Sequence, residues 1–147
     1  MVTRRAEQAG STEWSLLFLG WLVATVATLG SLFFSEVMGL PPCVLCWYQR
    51  IALFPLVLVL GAGLLSFDAA VVKYSLPLAV AGWLVALYHS LLYWGIVPKD
   101  IQPCTAGVSC TERNLELLGF LSIPLMSLLG FSVIVALLIV LRRRVSR

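Results

Sequence analysis

Four stretches of this chain are almost unbroken apolar runs: Leu16–Phe34, Ile51–Phe67, Tyr74–Val97 and Leu117–Leu141. Crossing a bilayer takes roughly 17–25 predominantly apolar residues, and each run meets that length. The second is the shortest, and its start can be drawn back to Trp47 or Tyr48. In hydrocarbon the backbone amides of an isolated run must bond within the run, so the pattern predicts four helices. Pro55, Pro77 and Pro124 fall in or near first helical turns or at possible kinks, and glycines recur at 20, 30, 61, 63, 82 and 130. Small residues let membrane helices approach closely. The expectation is an all-α integral membrane protein, a single four-helix transmembrane bundle over residues 1–147, with loops at about 35–50 and 98–116.

Composition agrees. The 147 residues are 61% hydrophobic and 12% charged, and the mean hydropathy is +1.00. Soluble domains hold about 45–50% apolar and about 25% charged residues. The net charge of +3 is not a nucleic-acid signal, because the basic residues do not cover a soluble face. No glycine-rich phosphate loop, histidine-rich metal cluster, low-complexity tract or convincing repeat is present. The first run follows Arg4 and Arg5 like a secretion signal, but it is too long and Ser35-Glu36-Val37-Met38 offers no small-x-small cleavage site, so a retained anchor is expected.

Charge sets the expected orientation. With the N-terminus inside, Arg4, Arg5, Lys73, Arg142, Arg143, Arg144 and Arg147 are inside, and Arg50, Lys99 and Arg113 are outside. That division is seven against three of the ten basic residues, and lysine and arginine favour the cytoplasmic side. Both termini are expected in the cytoplasm and both cysteine-bearing loops outside it.

The four cysteines are Cys43, Cys46, Cys104 and Cys110. Disulfides persist in oxidising compartments, and four cysteines allow three connectivities. Local pairing, Cys43–Cys46 and Cys104–Cys110, needs the least chain rearrangement. A C-x-x-C bridge closes a very small ring and is often redox-active. Leu40-Pro41-Pro42 before it and Trp47-Tyr48 after it place this pair at the bilayer surface, where tryptophan and tyrosine concentrate. A lipid-soluble oxidant can reach it there. The second pair lies in a polar stretch, with Lys99, Asp100, Gln102, Glu112 and Arg113, suited to meeting a soluble protein.

Two ionisable residues join the candidate site. Arg50 follows Cys46 by four positions, one helical turn; a cation there favours thiolate, and its guanidinium can donate to a carbonyl oxygen of an oxidant. His89, the only histidine, lies about two turns from the outer end of the third run and could donate to the same oxidant or move a proton. The blander readings are inert staples for the cysteines, snorkelling for Arg50 and a packed, hydrogen-bonded imidazole for His89. A four-thiolate zinc site fits the cysteine count but neither an oxidising compartment nor the separation of the pairs, so no metal is expected.

The segment Pro42-Cys43-Val44-Leu45-Cys46-Trp47-Tyr48-Gln49-Arg50 closely resembles the signature of the disulfide bond formation protein B (DsbB) family. Leu87-Tyr88-His89-Ser90 and Pro103-Cys104 add to the likeness, which covers nearly the whole chain. Five residues separate Cys104 from Cys110, so the chain resembles the compact, short-loop type. The resemblance implies a quinone-reducing protein-disulfide oxidoreductase in the bacterial cytoplasmic (inner) membrane. Its partners would be membrane lipid, a quinone pool (ubiquinone or menaquinone) and a DsbA-like thioredoxin-fold thiol oxidase, with no nucleic acid; such a system is a known route to an oxidised periplasm. It further implies that Cys104 meets the partner, that Cys110 is its leaving sulfur, and that Cys46, with Arg50 and His89, faces the quinone while Cys43 resolves. Two alternatives are a non-enzymatic scaffold with structural disulfides and a vitamin K epoxide reductase-like redox enzyme.

Overall fold

In the computed structural model, residues 2–66, 68–97, 116–117 and 121–146 are described. Four long helices carry the fold: α1 Val2–Leu32, α2 Val44–Ser66, α3 Val72–Tyr93 and α4 Ile123–Val145. Helix α1 continues as a wider π turn, Phe33–Val37, and a short 3₁₀ turn, Ala69–Val71, leads into α3. Residues Glu116–Leu117 and Leu121–Ser122 pair antiparallel just before α4. All four helices are long and apolar enough to cross a membrane; the 23 residues of α2 span about 35 Å at 1.5 Å per residue. The fold is the expected all-α four-helix membrane bundle. Helix α1 packs on α2 and α4, and α3 also packs on α2 and α4, so the four form a ring.

The helices and the apolar runs differ at their ends, and local chemistry accounts for the differences. Helix α2 begins at Val44 rather than near Ile51, immediately after Pro41-Pro42 and Cys43. The tail of the C-x-x-C motif is therefore helical, and Cys46 and Arg50 stand one turn apart on one face. Helix α3 stops at Tyr93 rather than Val97, because Gly95 takes φ +74. The Gly95 amide bonds to the Leu92 carbonyl at 3.1 Å and the Ile96 amide to Leu91 at 3.1 Å, the bonding of a Schellman stop. His89 is thereby one turn from the helix end, not two. Helix α4 starts at Ile123, with Pro124 in its first turn, and carries Arg142, Arg143 and Arg144 in its last. Pro55 lies mid-way along α2 and Pro77 in the second turn of α3, each leaving the carbonyl four residues earlier without its usual amide.

Packing is aliphatic through the middle of the ring. Leu56, Leu60, Ile134 and Leu141 are fully buried, with Ala24, Ala79 and Ala86 between them. Phe131 fits against Gly82, where a Cβ would stand 2.5 Å from the ring's Cζ. The Trp83 indole Nε1 donates to the Ser132 hydroxyl at 2.9 Å, tying α3 to α4. The outward faces are apolar too: Leu58 is 74% and Leu65 86% exposed, as expected where lipid is the solvent.

Candidate redox site

Buried polar residues gather at one end of the bundle. Gln49 and Arg50 come from the first turns of α2, His89 and Ser90 from the last turn or so of α3, and Ser122 from the start of α4. Among the described residues, Ser75 is the one buried polar residue at the opposite end, and its hydroxyl is satisfied locally by the Val71 carbonyl at 2.9 Å.

Cys43 precedes α2 and Cys46 lies in its first turn, so the helix start folds the two sulfurs together. They are unbonded and 2.7 Å apart, closer than two thiols ordinarily pack, so a small shift closes a disulfide. The Cys46 amide also donates to the Cys43 sulfur at 3.3 Å. The His89 Nε2 stands 3.9 Å from the same sulfur. Cys43 is buried against Leu45 and Leu92, whereas Cys46 is partly exposed. Donation from the Cys46 thiol holds Cys43 below the ordinary thiol range, helped by His89 and opposed by burial. Negative charge on the pair therefore settles on Cys43.

Arg50 is buried and its Nη2 donates to the Ser31 carbonyl of α1, just ahead of the π turn. Its guanidinium carbon lies 5.4 Å from the centroid of the Trp47 ring, and both Trp47 and Tyr48 are about half exposed. One turn before Ser31 counted by threes, the Thr28 hydroxyl is buried without a hydrogen-bond partner.

Two polar residues absent from the sequence-based site belong to it. The Gln49 Nε2 lies 3.3 Å from His89 Nδ1, and the Ser127 hydroxyl of α4 donates to Gln49 Oε1 at 2.5 Å. Gln49 stood inside the cysteine–arginine motif, and its place one position before Arg50, within the second run once its start is drawn back to Trp47 or Tyr48, was the available signal. Ser127 offered none, being one serine in an apolar run. The structure thus brings Cys43, Cys46, Arg50 and His89 to one end. Cys104 and Cys110, their pairing and the loop that holds them lie outside the described residues. The Cys43, Cys46 and His89 ligand atoms all lie within 4.8 Å of one another, a set of soft donors that could hold a thiophilic cation in the reduced state.

Comparison with known proteins now decides the family. The profile of the disulfide bond formation protein DsbB family matches residues 13–141. The chain belongs to that family. It is 46% identical over 140 residues to a "Probable disulfide formation protein" of Metapseudomonas resinovorans, covering 95% of this chain and 97% of that one. It is 40% identical over 126 residues to "Disulfide bond formation protein C" of Bacillus subtilis, covering 86% and 91%. A "Probable disulfide formation protein" of Coxiella burnetii is 40% identical over 116 residues, 78% of each chain. No solved structure matches. Within the DsbB family, this chain is a multi-pass membrane protein of disulfide bond formation, a thiol oxidoreductase.

Proposed function

We propose that this DsbB-family protein is a quinone-reducing thiol oxidase that reoxidises a DsbA-like thioredoxin-fold partner. The observation that carries the reading is the Cys43–Cys46 dithiol, 2.7 Å between sulfurs, set beside Arg50 and His89 at the polar end of an otherwise apolar bundle. The seven-to-three basic asymmetry supports cytoplasmic termini and an extracytoplasmic site, in the bacterial inner membrane.

The residues at hand suit a quinone. A guanidinium carries five donors, so Arg50 can hold a ring carbonyl while it keeps Ser31. Trp47 offers an aromatic face, and the unpartnered Thr28 hydroxyl a further polar group on the adjoining helix. When bound, a quinone supplies the two-electron, two-proton acceptor. The chain's own residues do the rest. A partner thiolate attacks the Cys104–Cys110 disulfide at Cys104; that S–S bond breaks and Cys110 leaves. The partner's second thiol attacks the mixed disulfide, leaving the partner oxidised and Cys104 and Cys110 as thiols; exchange, thiolate on disulfide, then reforms Cys104–Cys110 and leaves Cys43–Cys46 as the dithiol. Cys46, the more exposed residue of the pair and one turn from Arg50, faces the oxidant, and Cys43 closes the bridge again. His89 donates toward Cys43 and stabilises its charge.

The test is quinone reduction by the purified protein in lipid, with an excess of a reduced thioredoxin-fold donor. Oxidation of the donor and reduction of the quinone are expected in equal amounts, and in Cys110→Ser the Cys104 thiolate should attack an oxidised donor's disulfide and accumulate a mixed disulfide that has no resolving Cys110. Adducts that form through Cys110 in Cys104→Ser, and never through Cys104, would reverse the roles of that pair. No quinone reduction under these conditions would refute the reading.

A further inference from the structure

The polar contacts form one line across three helices. Ser127 on α4 donates to Gln49 Oε1 on α2 at 2.5 Å. With its oxygen occupied in this way, the Gln49 amide turns its nitrogen to His89 Nδ1 on α3, at 3.3 Å. An amide nitrogen only donates, so Nδ1 must accept and carries no proton. The neutral imidazole then holds its proton on Nε2, the atom that faces the Cys43 sulfur at 3.9 Å. Gln49 and His89 are both buried, so water does not compete freely for these contacts.

We propose that Gln49, oriented by Ser127, is a positioning residue that fixes His89 as the Nε2–H tautomer, so that the imidazole donates to the Cys43 sulfur of the reduced pair. The role rests on the reading of Cys43–Cys46 as the redox pair. Three donors then converge on one sulfur: the Cys46 thiol, the Cys46 amide and the His89 ring. The same tautomer points an N–H, not a lone pair, at the cluster of soft donors, and so disfavours metal capture there. A flipped Gln49 amide would do the reverse. It would take a proton from Nδ1 and leave Nε2 as an acceptor toward the thiol. A serine hydroxyl can serve either arrangement, but the 2.5 Å contact to Ser127 is an O–H···O length and short for N–H···O, which keeps the amide oxygen on Ser127 and the nitrogen on His89.

The chain has one histidine, so ¹⁵N-histidine labelling of the reduced full-length protein in lipid nanodiscs gives a single pair of ring signals. The expected spectrum has a pyrrole-like Nε2 and a pyridine-like Nδ1. Gln49→Glu keeps the side-chain size but presents only acceptors to His89, so Nδ1 should become protonated. Ser127→Ala frees the amide to flip and should produce a mixture of tautomers. The pH profile of site-resolved Cys43 alkylation, in a Cys46→Ser background, should move up by about one pH unit on Gln49→Leu. A parent spectrum with a protonated Nδ1 would overturn the proposal, as would a Gln49→Glu spectrum that matches the parent. The parent spectrum needs no folded variant, quinone or partner. Loss of oxidase activity with the expected tautomer would therefore count against the proposed function and not against this assignment.

Discussion

Leu56, Leu60, Ile134, Leu138 and Leu141 fill the middle and far end of the bundle, whereas Cys43, Gln49, Arg50, His89, Ser90 and Ser122 fill the end at the mouth of α2. The aliphatic region needs only close fit. The polar region needs partners, because a buried polar group without one costs about 1–3 kcal/mol on protein mutational scales. Most of its members have them: Arg50 on Ser31, His89 between Cys43 and Gln49, Ser90 on the Ala86 and Pro124 carbonyls. Polar contacts across helices add little net stability in membranes, roughly 0.6 kcal/mol on average. The polar end is thus a poor way to hold four helices together and a good way to hold a reactive sulfur pair. On the proposed function, stability and chemistry occupy different lengths of the same helices.

That separation should be visible in variants. The largest effect belongs to the sulfurs: Cys46→Ala or Cys43→Ala should reduce quinone-linked thiol oxidation to background while the helical circular dichroism is kept. A variant that retains turnover would put the chemistry elsewhere. In the aliphatic region the pattern should invert. Leu60 is fully buried, and Leu60→Ala should cost about 2 kcal/mol, the low end of the range for soluble cores. The low end applies because lipid is as apolar as leucine, so the loss is one of packing contacts rather than of transfer from water. Turnover per folded molecule should stay within about twofold. A collapse of turnover at full stability would break the comparison.

Between these lie the groups that tune the polar end. Arg50→Ala removes a charge-assisted donor worth about 1.5–3 kcal/mol and should weaken apparent quinone affinity about tenfold or more. Arg50→Lys keeps the charge without the planar fork, so rescue should be partial. Steady-state rates at varied quinone decide it; unchanged KM and kcat would leave Arg50 only its helix-docking contact to Ser31. Cys43 carries the pH dependence. Its folded value lies below that of a free thiol, so its thiolate persists as pH falls through the ordinary thiol range and is lost only on crossing the lowered value. Site-resolved alkylation of the reduced protein should therefore hold its rate at Cys43 between about pH 8 and about pH 6, where that of a model thiol falls steeply, and a fall parallel to the model would remove the perturbation.

Much of this was legible in the chain because the signals were local. Four apolar runs fix four helices, and the spacing of Cys43, Cys46 and Arg50 fixes which side chains share a helix start. The helix ends were less legible. Hydropathy does not register that Gly95 adopts a left-handed conformation or that α2 begins at Val44, and those two facts bring His89 and Cys43 to the same level. The π turn at Phe33–Val37, next to the carbonyl that Arg50 grips, has no pattern in the sequence. Gln49 and Ser127 were missed for a different reason: they are 78 positions apart, and only the α2–α4 juxtaposition across the ring gives the serine a partner. Pairings of that kind are properties of the packed bundle rather than of any segment.

The smallest expected effect sharpens the comparison most. Two α4 serines each make one hydrogen bond to another helix: Ser132 accepts from the Trp83 indole at 2.9 Å within the apolar region, and Ser127 donates to Gln49 at the polar end. The substitutions Ser132→Ala and Ser127→Ala remove the same few atoms, so their stability costs should be alike, about 0.6 kcal/mol each and under about 1.7. A Trp83→Phe, Ser132→Ala double-mutant cycle in lipid isolates the indole–hydroxyl coupling from the loss of indole packing. In function the two should part. Ser132→Ala should leave thiol oxidation unchanged, because nothing reactive lies along its contact. Ser127→Ala should lower the reactivity of Cys43, because its contact continues through Gln49 and His89 to that sulfur. Equal activity in the two variants would mean that the polar end tolerates a broken link as readily as the apolar region does, and the division between stability and chemistry would fail at the point where it is most finely drawn.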